Sequence, residues 1–253
     1  MVVVENTYSQ TIVQQESLQA VFIETYNDTT PVGTASGFVI KSKGKPFLIT
    51  NWHVLFAKNA RTKAWLNESQ KLTPNNVKVV LRNEKGQPVL KSELLVDKNG
   101  ISRIQENNIN GITVDVVALP LSDTTGIVLH PVVYDNPLLS ELVLAPTDRL
   151  FVVGYPLGLS SNGALPIWKS GLIASEPSDD QEGLPIIWLD IQGYPGQSGS
   201  AVFLKAAEFN TKSARNVSSS AVSVFLGVFS HGNSVYGALW KASYLKSFFN
   251  DLK

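Results

Sequence analysis

Short runs of β-branched and aromatic residues recur along the chain, each broken by turn residues. They lie at Ser36–Ile40, Phe47–Asn51, Val77–Leu81, Val114–Leu119, Arg149–Gly154, Ile167–Ser175, Ile186–Ile191 and Ser223–Phe229. Glycine and asparagine turns separate them, at Lys43-Gly44-Lys45-Pro46, Glu84-Lys85-Gly86, Asn99-Gly100, Asn110-Gly111 and Ser161-Asn162-Gly163. Many short strands punctuated in this way predict an all-β barrel or sandwich; the strand–helix alternation of a parallel sheet is missing. Two segments carry helical potential. One is Val54 to Leu66; the other is Ala242 to Phe249, whose apolar residues fall at i, i+1, i+4 and i+5 and suit a C-terminal helix packed by one face. Leu121 to Pro146 holds three prolines and reads as the connection between two halves. Asn210 to Ser220 is small and polar, and reads as a surface loop.

Composition narrows the possibilities. The chain has 253 residues, 43% hydrophobic and 17% charged, enough for one large β domain or two small lobes. Its formal net charge is +0, and no Lys/Arg run interleaves with aromatics, so neither nucleic acid nor an anionic membrane is an expected partner. Cysteine is absent, which excludes disulfides, thiolate catalysis and Cys-ligated zinc. The N-terminus lacks a basic region followed by an apolar stretch of signal-peptide length, and no apolar run approaches the roughly 20 residues of a spanning helix. The expectation is a soluble cytoplasmic protein, although a trimmed secreted chain would read the same way.

Three residues stand in settings that suggest chemistry. His53 ends the run Phe47-Leu48-Ile49-Thr50-Asn51-Trp52-His53, Asp115 opens the apolar run Asp115-Val116-Val117-Ala118-Leu119, and Ser198 lies in the glycine-rich turn Gly196-Gln197-Ser198-Gly199-Ser200. A serine hydroxyl is a poor nucleophile at neutral pH; it needs an imidazole to take its proton and an acid to fix the imidazole's tautomer. Among the acids between His53 and Ser198, several read differently. Asp97 precedes a Lys-Asn-Gly turn, Asp123 sits in a polar loop, and Asp179-Asp180-Gln181-Glu182 reads as a solvated face, with no metal assigned. The turn does not fit the G-x-S-x-G nucleophile elbow, because Ser200 occupies the last glycine position. The order His, Asp, Ser is that of chymotrypsin-type triads. In that arrangement glycine at 196 lets its N–H point inward beside that of Ser198, forming an oxyanion hole.

In these motifs the chain resembles the chymotrypsin-like clan, and within it the cysteine-poor bacterial branch of HtrA proteases and glutamyl endopeptidases. Ser36-Gly37-Phe38-Val39-Ile40 with Thr50-Asn51-Trp52-His53-Val54 is similar to the S-G-F strand and T-N-x-H-V segment of that family. Asp115 to Leu119 is similar to its acid segment, and Gly154-Tyr155-Pro156-Leu157-Gly158 with Ser170-Gly171-Leu172-Ile173 is similar to the pair opening its second barrel. Asp190 to Ser198 is similar to the stretch that ends in its nucleophile. The likeness runs from about residue 32 to 245.

The resemblance implies a single trypsin-like peptidase domain over residues 1–253, built of two six-stranded antiparallel Greek-key β-barrels with a C-terminal helix. The N-terminal lobe would span approximately 15–125 and the C-terminal lobe approximately 145–253. It also implies a serine endopeptidase acting on protein or peptide substrates without a cofactor, through His53, Asp115 and Ser198, with Gly196 and Ser198 as oxyanion donors. Gln192 would lie near the base of the primary pocket, and Ser230, His231 and Gly232 would line the substrate cleft. A pocket base without a carboxylate argues against selection of Lys or Arg.

Departures from the pattern refine this picture. Gln197 replaces the acid that binds a freed N-terminus in zymogen-activated members, so activation by trimming is not expected. Trp52 adds bulk beside His53, where it either shapes the cleft or packs. With the sequence ending shortly after the protease-like region, the peptide-binding module that HtrA proteins append, and the regulation it brings, are not expected. Two rival readings use the same fold: a latent or inactive scaffold whose oxyanion loop awaits a partner, and an esterase for small acyl substrates.

Overall fold

The computed structural model describes residues 13–231 and 236–253. Its first lobe begins with a short helix α1 (Gln15–Gln19) and strands β1 (Ala20–Asn27), β2 (Thr30–Ser42) and β3 (Lys45–Thr50). Helix α2 (Trp52–Phe56), strands β4 (Asn76–Arg82) and β5 (Pro88–Leu94), a small hairpin of β6 (Asn108–Ile109) and β7 (Ile112–Thr113), and β8 (Val117–Pro120) complete it. A connection carrying α3 (Leu138–Glu141) leads to β9 (Arg149–Gly154), β10 (Ile167–Ile173), β11 (Ile186–Asp190), β12 (Ala201–Asn210), β13 (Arg215–His231) and β14 (Gly237–Lys241). Helix α4 (Ala242–Asp251) closes the fold. Among the described residues, no helix is long and apolar enough to cross a membrane.

The two lobes share one topology. The first is a six-stranded antiparallel sheet in the order β5-β4-β1-β2-β3-β8, and the second is a closed barrel in the order β10-β11-β14-β13-β12-β9. Numbered within each lobe, both run 1-2-3-6-5-4, with strand 4 returning beside strand 1 as a Greek key requires. In the first lobe the link between strands 5 and 6 is indirect. The segment after β5 folds back on itself (Arg103 N–H to the Leu95 carbonyl, 2.9 Å) and then pairs with β8 through Gln105 and Ala118. A charge network built on one buried carboxylate ties the same seam. Glu93, 4% exposed, accepts from Arg103 Nη1 (3.0 Å) and from the N–H and hydroxyl of Ser122 (2.7 Å each).

The seam between the lobes explains why several strands read as continuous apolar runs rather than alternating ones. In β2, Ala35 and Val39 point into the first lobe, whereas Phe38 and Ile40 point into a second core shared with the other lobe. In β9, Leu150 and Val152 face the second barrel's interior while Val153 joins the shared core. Both faces exclude water, so both are apolar. Helix α4 buries Ala242, Leu245, Phe248 and Phe249 in the shared core, where Tyr134 meets Phe249 edge to face at 5.2 Å. The connection between the halves is thereby fastened to the C-terminal helix.

Several elements differ from their sequence readings. The helix expected over Val54–Leu66 is confined to Trp52–Phe56, and Ala57, at φ 53°, ends it by returning its N–H to the His53 carbonyl. Asn210–Ser220 is not a loop: it is the distal part of a long β12–β13 arm that turns between Asn210 and Arg215. The strand expected from Val114 starts only at Val117, so Asp115 lies on the segment leading into it. Strands β1, β5, β12 and β14 were not read from the sequence.

Candidate active site

His53 stands in the first turn of α2, directly after β3 delivers the chain to the seam between the lobes. Its backbone N–H donates to Asp115 Oδ1 at 2.9 Å and its Nδ1 to Asp115 Oδ2 at 2.8 Å. One carboxylate therefore fixes both the helix turn and the ring. Asp115 is itself held twice more: Asn51 Nδ2 donates to its carbonyl (2.6 Å), and the Ser230 hydroxyl donates to Oδ2 (2.5 Å). Because the carboxylate accepts from Nδ1–H, the neutral ring presents Nε2 as an acceptor. Ser198 Oγ lies 2.8 Å from Nε2 and donates to it. The three residues come from separate parts of the chain and form one linear hydrogen-bonded series.

The turn around Ser198 is set by glycines. Gly199 has φ +86°, and a Cβ there would fall 2.2 Å from the Ser36 carbonyl oxygen. Gly196 has φ +91°, and a Cβ there would fall 2.4 Å from the Tyr155 carbonyl oxygen. Nearly every backbone polar group in the turn has a partner. The carbonyl of Tyr194 accepts from Gln197 N–H (3.1 Å), that of Pro195 from Leu157 N–H (2.6 Å), and that of Gln197 from Ser200 N–H (3.0 Å). The carbonyls of Gly196 and Ser198 accept from the hydroxyl and N–H of Ser36, at 2.7 and 2.9 Å. Tyr194 N–H donates to Gln197 Oε1 (2.9 Å), and Gly199 N–H donates to the Phe229 carbonyl (2.9 Å).

Two donors remain. Among the described residues, the N–H groups of Gly196 and Ser198 have no protein acceptor, and both residues border the cleft between the lobes. Backbone donors left free together in an otherwise satisfied turn are what an incoming oxyanion requires.

The cleft encloses about 800 Å³ and is bordered by His53, Asp115, Ser198 and Ser230. On its second-lobe side it meets the apolar surfaces of Leu184, Ile186, Trp188, Tyr194, Ala238 and Trp240. Its nearby carboxylate, Glu182, is engaged by Arg61 across the cleft. Within the same acidic run, Asp180 is engaged by Lys241 Nζ at 2.8 Å. No group of three or more His, Cys, Asp or Glu side chains is disposed to hold a metal ion among the described residues.

Other residues singled out in the sequence take different places. Ser230 borders the cleft, and its hydroxyl is turned to Asp115, which it supports. Gln192 is exposed and does not border the cleft; its amide oxygen accepts from Tyr194 OH (3.0 Å). His231 ends β13 at its pairing with Gly237, its side chain and Gly232 lying outside the described residues. Trp52 packs rather than shaping the cleft, stacking on Phe56 at 4.2 Å and donating Nε1 to Glu106 (2.6 Å). His130 lies apart from the cleft beside a small cavity. Burial, and then the nearby Arg82 charge, hold its pKa below the ordinary imidazole value. The roles of Ser36 and Asn51 were not read from the sequence, although both lie inside the motif segments quoted for the resemblance.

Two Greek-key lobes meeting at a His–Asp–Ser cluster define a chymotrypsin-like serine protease fold. The chain belongs to the trypsin-like peptidase domain family, whose model matches residues 35–209. The crystal structure of the serine endoprotease from Yersinia pestis superposes on 93% of the chain with a TM-score of 0.50 at 15% identity, and the chain spans 65% of that protein's length. A thermostable serine protease, AL20, from an extremophilic microorganism matches 94% of this chain and 97% of its own at 14% identity, with a TM-score of 0.49. No curated protein matches the chain in sequence.

Proposed function

We propose that the protein is a serine endopeptidase working through an acyl-enzyme. Ser198 Oγ attacks the carbonyl carbon of a peptide bond while its proton passes to His53 Nε2. Asp115 keeps the ring in the right tautomer and stabilises the imidazolium. The carbonyl oxygen, now negative, accepts from the N–H groups of Gly196 and Ser198, each worth about 2.7–4 kcal/mol in the transition state. The C–N bond then breaks as His53 returns the proton to the leaving amine. Water enters by the same steps in reverse order, and Ser198 regains its proton.

The observation that carries this reading is the coincidence of the 2.8 Å series Asp115–His53–Ser198 with two unpartnered N–H groups beside the nucleophile. The same free N–H groups weigh against a scaffold with a collapsed oxyanion loop. The apolar second-lobe wall of the cleft, with Glu182 already engaged, supports peptides carrying an uncharged residue before the cut.

A panel of peptides differing only at the residue before the scissile bond tests both parts. Wild-type protein should cleave those with uncharged residues, and Ser198→Ala should cleave none. Equal hydrolysis by Ser198→Ala overturns the mechanism; preferred cleavage after Arg overturns the specificity.

A further inference from the structure

Ser36 sits in β2 of the first lobe, wholly buried, yet three of its hydrogen bonds reach the second lobe. Its N–H donates to the Ser198 carbonyl (2.9 Å), and its hydroxyl accepts from Tyr155 N–H (2.8 Å). The hydroxyl proton goes to the Gly196 carbonyl at 2.7 Å. Its own carbonyl accepts from Thr50 Oγ1 (2.8 Å), three residues before His53. Space is reserved for the hydroxyl: a Cβ at Gly154 would lie 2.5 Å from Ser36 Oγ and closer still to the Ser200 hydroxyl.

The consequence falls on the Gly196 N–H. Glycine rotates readily about its backbone, and a turn of the Pro195–Gly196 peptide would present a carbonyl to the cleft in place of a donor. A trans peptide points its C=O and N–H to opposite sides. Leu157 N–H opposes the rotation directly by holding the Pro195 carbonyl at 2.6 Å; Ser36 opposes it from the next peptide, anchoring the Gly196 carbonyl from the other lobe so that the chain on that side cannot shift to accommodate a turn.

We infer that Ser36 is a positioning residue for the oxyanion loop, a first-lobe residue whose hydroxyl fixes the Gly196 carbonyl while its N–H fixes that of Ser198 in the second lobe. The two free donors are then formed by the docking of the lobes, and not by the second barrel alone. The inference rests on the proposed hydrolase, because its kinetic consequence needs an active enzyme.

The experiment compares wild type with Ser36→Ala and Ser36→Cys by peptide-hydrolysis kinetics, thermal melting and crystal structures. Deleting an oxyanion donor costs about 10²–10³ in kcat, so loosening one should cost about ten- to a hundredfold. KM should stay within about threefold, since ground-state binding does not use the hole. The thiol of Ser36→Cys is a weak donor and should recover part of kcat, and it carries the test if Ser36→Ala does not fold. In the Ala crystal structure the Gly196 N–H should turn from the cleft. All variants within about twofold of wild type in kcat, or a fall in kcat matched by a rise in KM, would overturn the inference. If wild type itself hydrolyses nothing and Ser198 resists acylation, the hydrolase reading fails. The crystal structures then decide the loop claim alone, a turned Gly196 supporting it and an unchanged one overturning it.

Discussion

Ser230 and Asp115 belong to different lobes, and the hydroxyl of one lies 2.5 Å from a carboxylate oxygen of the other. That oxygen is the one facing His53 Nδ1. The acid of the proposed triad is therefore held from the second barrel while its backbone is held by Asn51 from the first. A hydrogen bond to a charged group contributes about 1.5–3 kcal/mol, and both partners here are buried. Ser230→Ala should lower kcat/KM by about tenfold and destabilise the fold by about that energy, read by kinetics and urea unfolding on the same preparation. An unchanged rate would show that Asp115 does not need this support.

Asp115→Asn keeps the shape of the site and removes the charge that fixes the tautomer of His53. By analogy with triads generally, kcat should fall on the order of 10⁴-fold with little change in KM. A loss of tenfold or less would mean that Ser198 and His53 work as a pair.

The seam of the first lobe makes a prediction about stability alone. Arg103 donates to Glu93, to the carbonyls of Leu94 and Pro120, and to the Ser122 hydroxyl, joining β5 to β8. Removing Arg103 leaves Glu93 buried and without its cation, at up to about 3–5 kcal/mol, whereas removing Glu93 leaves the half-buried Arg103 with its carbonyl partners and costs less. Glu93→Leu and Arg103→Leu should each unfold at clearly lower denaturant, and the double variant should cost less than the sum of the two. Strict additivity would contradict the network.

Tyr155 gives the fold an alkaline limit. Burial pushes its phenol up to about 12, with the Arg82 charge pulling weakly the other way. A raised folded pKa means that stability is intact below the unfolded value near 10 and is lost as pH rises toward 12. The loss amounts to about 3 kcal/mol at most, two units at 1.36 kcal/mol each. Tyr155→Phe should flatten unfolding free energy between pH 10 and 12; the same slope in both proteins would place the limit elsewhere.

The chemistry of the site was more legible in the chain than its architecture. Thr50-Asn51-Trp52-His53 and Gly196-Gln197-Ser198-Gly199 are local signals, because a glycine turn and a strand end need only their own neighbours to be read. What escaped depends on partners distant in sequence. The resemblance places Ser230 in the cleft, but its bond to Asp115 shows only once β13 brings it there across 115 positions. Strand β1 hides its alternation because Phe22, which packs against the shared core, and Tyr26 on the same face are also apolar, and β5 is mostly exposed with a glutamate as its buried residue. The β12–β13 arm beyond Ala206 carries polar residues on both faces, so no period of two marks it as sheet. Counting back from Ser198 puts Gln192 near a pocket base, but its exposure follows from a chain path that no local signal reveals.

Covalent labelling of the nucleophile tests the account at its centre. Folded wild-type protein treated with a fluorophosphonate should gain one adduct by intact mass, mapped to Ser198. The adduct should be absent from Ser198→Ala and slowed at least a hundredfold in His53→Ala. A folded wild-type protein that remains unmodified, or one modified equally when Ser198 is gone, would contradict the assignment.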